Sequence, residues 1–239
     1  MTDRGVSEVL GYVLVFSLVM GTVGVVYTTG LGGLHEVREA EKIANAERAF
    51  DVLDSNIADL TSGEADARGT EIQLAGATLG FAEPVVVNVS VENGGSYRGV
   101  IRPIYFSGSN ENTRIVASNG AVFRQQDETA VLLNEPAFVF GDRHTVIPLV
   151  MTRTRDSGRS GSGRILVRTT VADRSVVRLS APGSTTVTVT IESPRAGAWA
   201  EYLEDATGSS CTVTGNVTTC SVDTDVAYVQ IVRVDVSFV

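Results

Sequence analysis

The sequence predicts an α+β chain in which a long N-terminal transmembrane and amphipathic helix is followed by an antiparallel β-sandwich-like head. Three observations carry that prediction. Residues 9–34 are apolar and uncharged. Residues 43–60 then carry apolar side chains at helical spacing. From about Thr70 the apolar period falls to two, in short valine- and threonine-rich runs separated by glycine, asparagine, serine and proline.

The first run is too long for a secretory signal, whose apolar part covers about 7–15 residues ahead of a small-residue cleavage site. As a helix rising about 1.5 Å per residue it spans about 39 Å, more than the roughly 30 Å of a bilayer core. Ser17, Gly21, Gly24 and Thr28 recur at i, i+4, i+7 and i+11. They place four small residues on one face, where a second helix can approach closely. Gly30, Gly32 and Gly33 are expected to loosen the helix, since each glycine costs about 1 kcal/mol against alanine in a helix interior.

The segment Arg4-Gly5-Val6-Ser7, set directly before the apolar run, resembles the processing site of archaeal type IV pilins and archaellins. That resemblance covers roughly residues 4–34. It implies a cut between Gly5 and Val6 by a prepilin peptidase on the cytoplasmic side, with the apolar helix kept on the mature protein. The implied partners are the membrane, the prepilin peptidase, an assembly ATPase with its membrane platform, and other pilin subunits. Many relatives carry proline where this chain has Glu8. A carboxylate there is suited to pair with a neighbouring subunit's new amino terminus, because an isolated carboxylate is costly in apolar surroundings. The other reading from the same residues is an uncleaved anchor helix carrying a cell-surface binding protein that forms no filament.

Beyond the span, Ile43, Ala46, Phe50, Leu53, Ile57 and Leu60 are spaced 3, 4, 3, 4 and 3 apart, with charged residues on the other faces. The stripe has to bury against something. Packing on the following domain is favoured over a free-standing coiled coil, which wants about 3–4 sustained heptads. Gly63 and the polar run to Gly69 end the helix. The organisation expected is therefore a leader over residues 1–5, a helix over 6–62 with its span at about 9–34 and its stem at 35–62, and a head over 63–239.

In the head, residues 71–74, 85–91, 164–168 and 184–191 read as strands. Asn119-Gly120 between apolar runs is the strongest short hairpin signal. Residues 156–163, rich in glycine, serine and arginine, read as a solvated loop and lack the Gly-Lys-Ser/Thr ending of a phosphate-binding motif. Ser193-Pro194 reads as an N-cap and first helical position, opening a short helix with Trp199, Tyr202 and Leu203 on one side as a lid on the sheet. An aromatic ligand site at Trp199 is the sharper alternative.

Around a two-residue Gly215-Asn216 turn, Thr214 pairs with Val217, Val213 with Thr218 and Thr212 with Thr219, so Cys211 faces Cys220. Counting outward puts the cysteines at a non-hydrogen-bonded pair, with Cα atoms about 4.5 Å apart, within disulfide range. Such a bond persists in an oxidising compartment. Asn88 and Asn216 each begin an Asn-X-Ser/Thr triplet, the acceptor pattern for N-glycosylation. These features place the large domain outside the cell membrane, to which the chain is held by one pass.

The chain has 28 acidic and 19 basic residues, a net charge of −9, and Lys42 is its single lysine. That balance disfavours nucleic acid. Acidic surface with scarce lysine resembles haloarchaeal proteins; in molar salt the Debye length is about 3 Å, and surplus carboxylates cost little. His35 and His144 are the two histidines, and they support no nucleophile–base or metal arrangement. Asp223 with Asp225, and Glu201 with Glu204 and Asp205, do not follow the EF-hand pattern and read as solvated acidic faces. No enzyme activity, cofactor or metal is expected.

Overall fold

The computed structural model describes residues 3–108, 112–181 and 185–239, and the side chains there except those of residues 3–8 and 29–36. Helix α1 covers Asp3–Ser62. Its backbone stays helical through Gly30, Gly32 and Gly33. The helix stops at Gly63, whose φ of +88° is the left-handed conformation that glycine adopts without a Cβ penalty.

The chain divides into two compact units, residues 1–42 and 43–239. The second unit takes in the last turns of α1 because the stripe is apolar. Ile43, Ala46, Phe50, Leu53, Ile57 and Leu60 are all buried, in one core with side chains from two sheets. Burying a leucine- or phenylalanine-sized side chain contributes about 1.5–3 kcal/mol, so this segment is held by tertiary packing rather than by propensity.

Fifteen strands follow among the described residues. The first eight are β1 (Ala67–Gln73), β2 (Ala77–Phe81), β3 (Val85–Val91), β4 (Ser96–Ile101), β5 (Ile104–Ser107), β6 (Thr113–Ser118), β7 (Ala121–Gln126) and β8 (Thr129–Asn134). Then come β9 (Thr145–Arg153), β10 (Arg159–Gly161), β11 (Arg164–Leu179) and β12 (Thr185–Glu192). After helix α2 (Ala196–Thr207) the chain ends with β13 (Thr212–Thr214), β14 (Val217–Thr224) and β15 (Ala227–Phe238). Alternation along β3 and β12 buries Val85, Val87, Val89 and Val91, and Val187, Val189 and Ile191, on one face. Of the expected run 184–191, Ser184 lies outside the described residues.

These strands form three sheets, in the orders β1-β11-β15-β9, β10-β2-β5-β6-β7-β8 and β13-β14-β12-β3-β4. Their pairings are antiparallel except that of β9 with β15, which is parallel. A parallel pair needs a long crossover, and here everything from β10 to β14 intervenes. The solvated loop expected over residues 156–163 holds the three-residue strand β10, paired with β2.

Two cores fill the domain. The first joins the α1 stripe to β1, β2, β5 and the second half of β15; the other joins the third sheet to α2 and the first half of β15. Strand β15 serves both: Ala227, Val229 and Ile231 face one core, and Val232, Val234 and Val236 the other. Its partner β11 follows through a bulge between Val171 and Asp173. One extra residue moves the strand beyond it to the opposite face, so Val167 and Val171 serve the first core while Val177 and Leu179 serve the second.

Helix α2 begins two residues later than Ser193-Pro194 predicts. Arg195 is its N-cap, at φ −106° and ψ 32°, with no side-chain cap. Ser193 holds the turn ahead of the helix: its hydroxyl accepts the Arg195 N–H, the bond a capping serine makes, and its own N–H donates to the Asn216 carbonyl at 2.7 Å. Trp199 is fully buried, edge-on to Phe123 at 5.1 Å and stacked on Phe138 at 6.2 Å. Tyr202 beside it donates its hydroxyl to the Pro136 carbonyl. These aromatics are packed together as a lid on the sheet, with Trp199 wholly buried among them.

Candidate functional site

The first surface set apart from the rest is the N-terminal helix. Val9–Thr28 has a mean hydropathy of 2.3 and none of it is buried within the chain. It is long and apolar enough to cross a bilayer. On this segment a Cβ added at Gly21 or Gly24 would meet nothing within 4 Å, so both positions are open to a neighbour. The Thr28 hydroxyl donates to the Gly24 and Val25 carbonyls of its own helix at 3.0 and 3.1 Å. The face of Ser17, Gly21, Gly24 and Thr28 therefore offers close approach of backbones at its Thr28 end rather than a free hydroxyl. Tyr12 and Phe16 stack one turn apart at 6.3 Å. At about 100° per residue they lie well away from the small-residue face. The backbone of Arg4, Gly5 and Val6 is in α1, and their side chains lie outside the described set.

In the head, Cys211 and Cys220 are joined by a disulfide with Cα atoms 4.5 Å apart. The pairs Thr212–Thr219, Val213–Thr218 and Thr214–Val217 lie between them and the turn. Gly215 takes φ +58°, matching glycine at the first central position of a type II′ hairpin turn. The two triplet asparagines differ. Asn216 is exposed on that turn, whereas Asn88 is half-buried in β3 with strands paired on both sides.

Of the acidic residues singled out in the sequence, Asp223 with Asp225 and Glu201 with Glu204 and Asp205, the side chains of Asp223 and Glu204 make local structural bonds: the first accepts the Thr186 hydroxyl and the second the Cys211 N–H. Among the described residues no group of three or more His, Cys, Asp or Glu comes together as a metal site. His144 is exposed beside the start of β9.

The structure also assembles a feature the sequence did not announce. A cavity of about 410 Å³ opens between the last turns of α1, the β6–β7 turn, residues after β8, and β9. Its wall is aliphatic, with Ile57, Val146, Pro148 and Val150, and its polar groups include Asp54, Glu135 and Asn119. Asn119 stands at φ +56° and Gly120 at +72°, the type I′ turn expected from the dipeptide. The Asn119 side-chain oxygen accepts the Val150 N–H at 2.8 Å, while its nitrogen Nδ2 is buried without a partner. Burial pushes the Asp54 carboxyl up to about 6; a hydrogen bond from Asn134 opposes the shift and the Asp51 charge adds to it. Asn134 Nδ2 reaches both acids, at 2.8 Å to Asp51 and 3.3 Å to Asp54.

Residues 4–237 match the family described as a family of unknown function, DUF7289. The chain belongs to the DUF7289 family. The match begins at Arg4 and runs into the last strand of the head, so in this DUF7289 chain helix and head fall within one family unit. No curated protein and no solved structure matches the chain.

Proposed function

We propose that this DUF7289 chain is a type IV pilin-like subunit. It is inserted in the membrane by its N-terminal helix and assembled with like subunits into a surface filament or pseudopilus, with the β-rich head outside for adhesion or recognition. The observation that carries the reading is the placement of Arg4-Gly5-Val6 immediately ahead of a wholly exposed apolar helix, Val9–Thr28, with Gly21 and Gly24 open to a neighbour. A membrane helix gains little from burying apolar surface against another, because lipid tails are equally apolar; close backbone approach is what makes association favourable. Gly21 and Gly24 supply that approach. The disulfide supports an oxidising location for the head, and the acidic surface supports a soluble, self-repelling one.

In this reading a prepilin peptidase cuts between Gly5 and Val6, and an assembly ATPase acting through a membrane platform draws subunits into the filament. The haloarchaeal character of the composition belongs to the same proposal. Intact mass of the protein from native membranes, with and without the host's prepilin peptidase, tests it. The expected result is an N-terminus at Val6 that depends on the peptidase. Retention of residues 1–5 in both hosts overturns it and leaves the chain as an uncleaved, membrane-anchored cell-surface binding protein.

A further inference from the structure

We propose that the head binds a second copy of this chain edge to edge: strand β8 of one copy adds to the arginine-rich β10 edge of the next and so continues the six-stranded sheet. The inference rests on the filament reading for the row of subunits it joins, and it names the contact between their heads.

The sheet β10-β2-β5-β6-β7-β8 is open at both ends. An edge strand presents unpaired N–H and C=O groups to any further strand, and proteins usually guard it with a charge, a bulge or a short length. Strand β8, Thr129–Asn134, is six residues long and carries no charged side chain. Among the described residues it pairs with β7 and with no other strand. Val131 and Leu133 on it are 58% and 42% exposed. The edges of the other two sheets differ: β1, β4 and β9 each carry a charged residue, and β13 is three residues long.

The flanks of β8 decide the partner. Asp127 and Glu128 precede it and Glu135 follows it, all exposed. Glu201 and Asp205 of α2 line one cavity of about 210 Å³ together with Val131 and Leu133. None of these five acids takes part in an ion pair among the described residues.

The far edge of the same sheet is their complement. Residues 153–164 hold four arginines against one acid, Asp156, whose carboxylate accepts the Phe238 N–H at 2.7 Å. Arg153 and Arg164 pair with Asp235 and Glu71, whereas Arg155 and Arg159 are in no ion pair among the described residues. Arginine lays its hydrocarbon stem on apolar side chains and keeps its charge at the rim, which suits Val131 and Leu133. Unpaired guanidiniums meeting unpaired carboxylates fix which edge meets which. In molar salt the Debye length is about 3 Å, so charges in direct contact still discriminate although long-range steering is lost. Because the two edges are unlike, the contact is heterologous, and copies add in an open row unless their rotation closes a ring.

The test uses the full chain in its native membranes, as two differently tagged copies, one with Val131→Cys and the other with Ser160→Cys. A short membrane-impermeant bismaleimide links them; the natural cysteines are joined to each other and do not react. The expected result is a product carrying both tags, at least tenfold more abundant than the product of either copy with itself. Reversing charge by Arg155→Glu with Arg159→Glu in the Ser160→Cys copy should cut that product several-fold. Glu201→Arg with Asp205→Arg in the Val131→Cys copy should restore it. No product, a dominant product of the Val131→Cys copy with itself, or a yield indifferent to charge reversal overturns the proposal. Should the charge variants fail to fold, the two single-cysteine copies decide alone. Intact mass of the same samples keeps the two readings apart: an N-terminus at Val6 without the mixed product sinks the edge contact alone, and the mixed product on chains that retain residues 1–5 sinks pilin-type processing alone.

Discussion

The side-chain oxygen of Asn119 accepts the backbone N–H of Val150 at 2.8 Å and so ties the tip of the β6–β7 hairpin to strand β9. This bond joins two different sheets. Asn119 serves twice, since its backbone at φ +56° also makes the hairpin turn. Asn119→Gly keeps the turn and removes the bond, leaving the Val150 N–H buried and unpaired at a cost of about 1–3 kcal/mol. Asn119→Ala loses the bond and adds left-handed strain of about 1–2 kcal/mol. Chemical denaturation should rank the natural protein as most stable, the glycine variant next and the alanine variant last. Equal stability of all three would show that the bond contributes nothing.

Asp54 makes stability depend on pH in an unusual direction. Its carboxyl is raised from 3.8 to about 6 by burial. Between about pH 4 and 6 the folded state therefore holds a proton that the unfolded state has released. Stability from this group falls as pH rises through that window and is fully lost above it. Asp54→Asn removes the titration. The variant should be about 1–2 kcal/mol more stable than the natural protein at pH 8, after discounting the shift for partial solvent access, and indistinguishable from it near pH 4. Unfolding curves at the two pH values check this, and a gain that is the same at both would refute it.

The Cys211–Cys220 bond closes a loop of about ten residues and should contribute about 2.7 kcal/mol on the chain-entropy account. Cys220 is buried in the core beneath α2 and Thr218 beside it is buried too, whereas residues 212–216 of the hairpin are exposed. Replacing both cysteines by serine should lower the denaturation midpoint of the head and leave its β-sheet circular dichroism signature in place. Loss of that signature under native conditions would mean the bond holds far more than one hairpin.

Gly21→Leu fills an open position on the membrane helix. Leucine is at least as apolar as glycine, so insertion should be unchanged, and no head residue is touched. On the pilin-like reading, self-association in membranes, followed by cross-linking, should fall at least tenfold while the protein remains membrane-bound. Normal assembly of this variant would show that the small-residue face takes no part in it.

Which parts are legible from the sequence follows from the range of the interactions that decide them. The stripe from Ile43 to Leu60, the Asn119-Gly120 turn and the Cys211–Cys220 register are set by neighbours within a few residues, and each stands in the structure as its spacing implies. The start of α2 lies two residues beyond its predicted place, although the Ser193 hydroxyl accepts the Arg195 N–H as a cap residue does. Arg195 reads in the sequence as an ordinary helix residue. In the fold it is buried over the Phe123 ring with one bond to Gln125, and burial, then the charge of Arg114, draws its guanidinium down to about 10. Nothing in the spacing of the Pro194-Arg195 segment signals that environment.

By itself the sequence determined the long apolar helix, the amphipathic stem, the strand-rich head and the facing cysteines. These depend on side-chain period, turn conformation and chain geometry over a few residues. Tertiary structure alone decided that β9 runs parallel to β15, that the bulge in β11 hands the strand from one core to the other, and that Asp54, Asn119 and Glu135 surround one cavity. Those outcomes rest on contacts between segments tens of residues apart, which local periodicity does not encode. Desolvation is likewise a property of the assembled core, so the raised carboxyl of Asp54 came into view only with the fold.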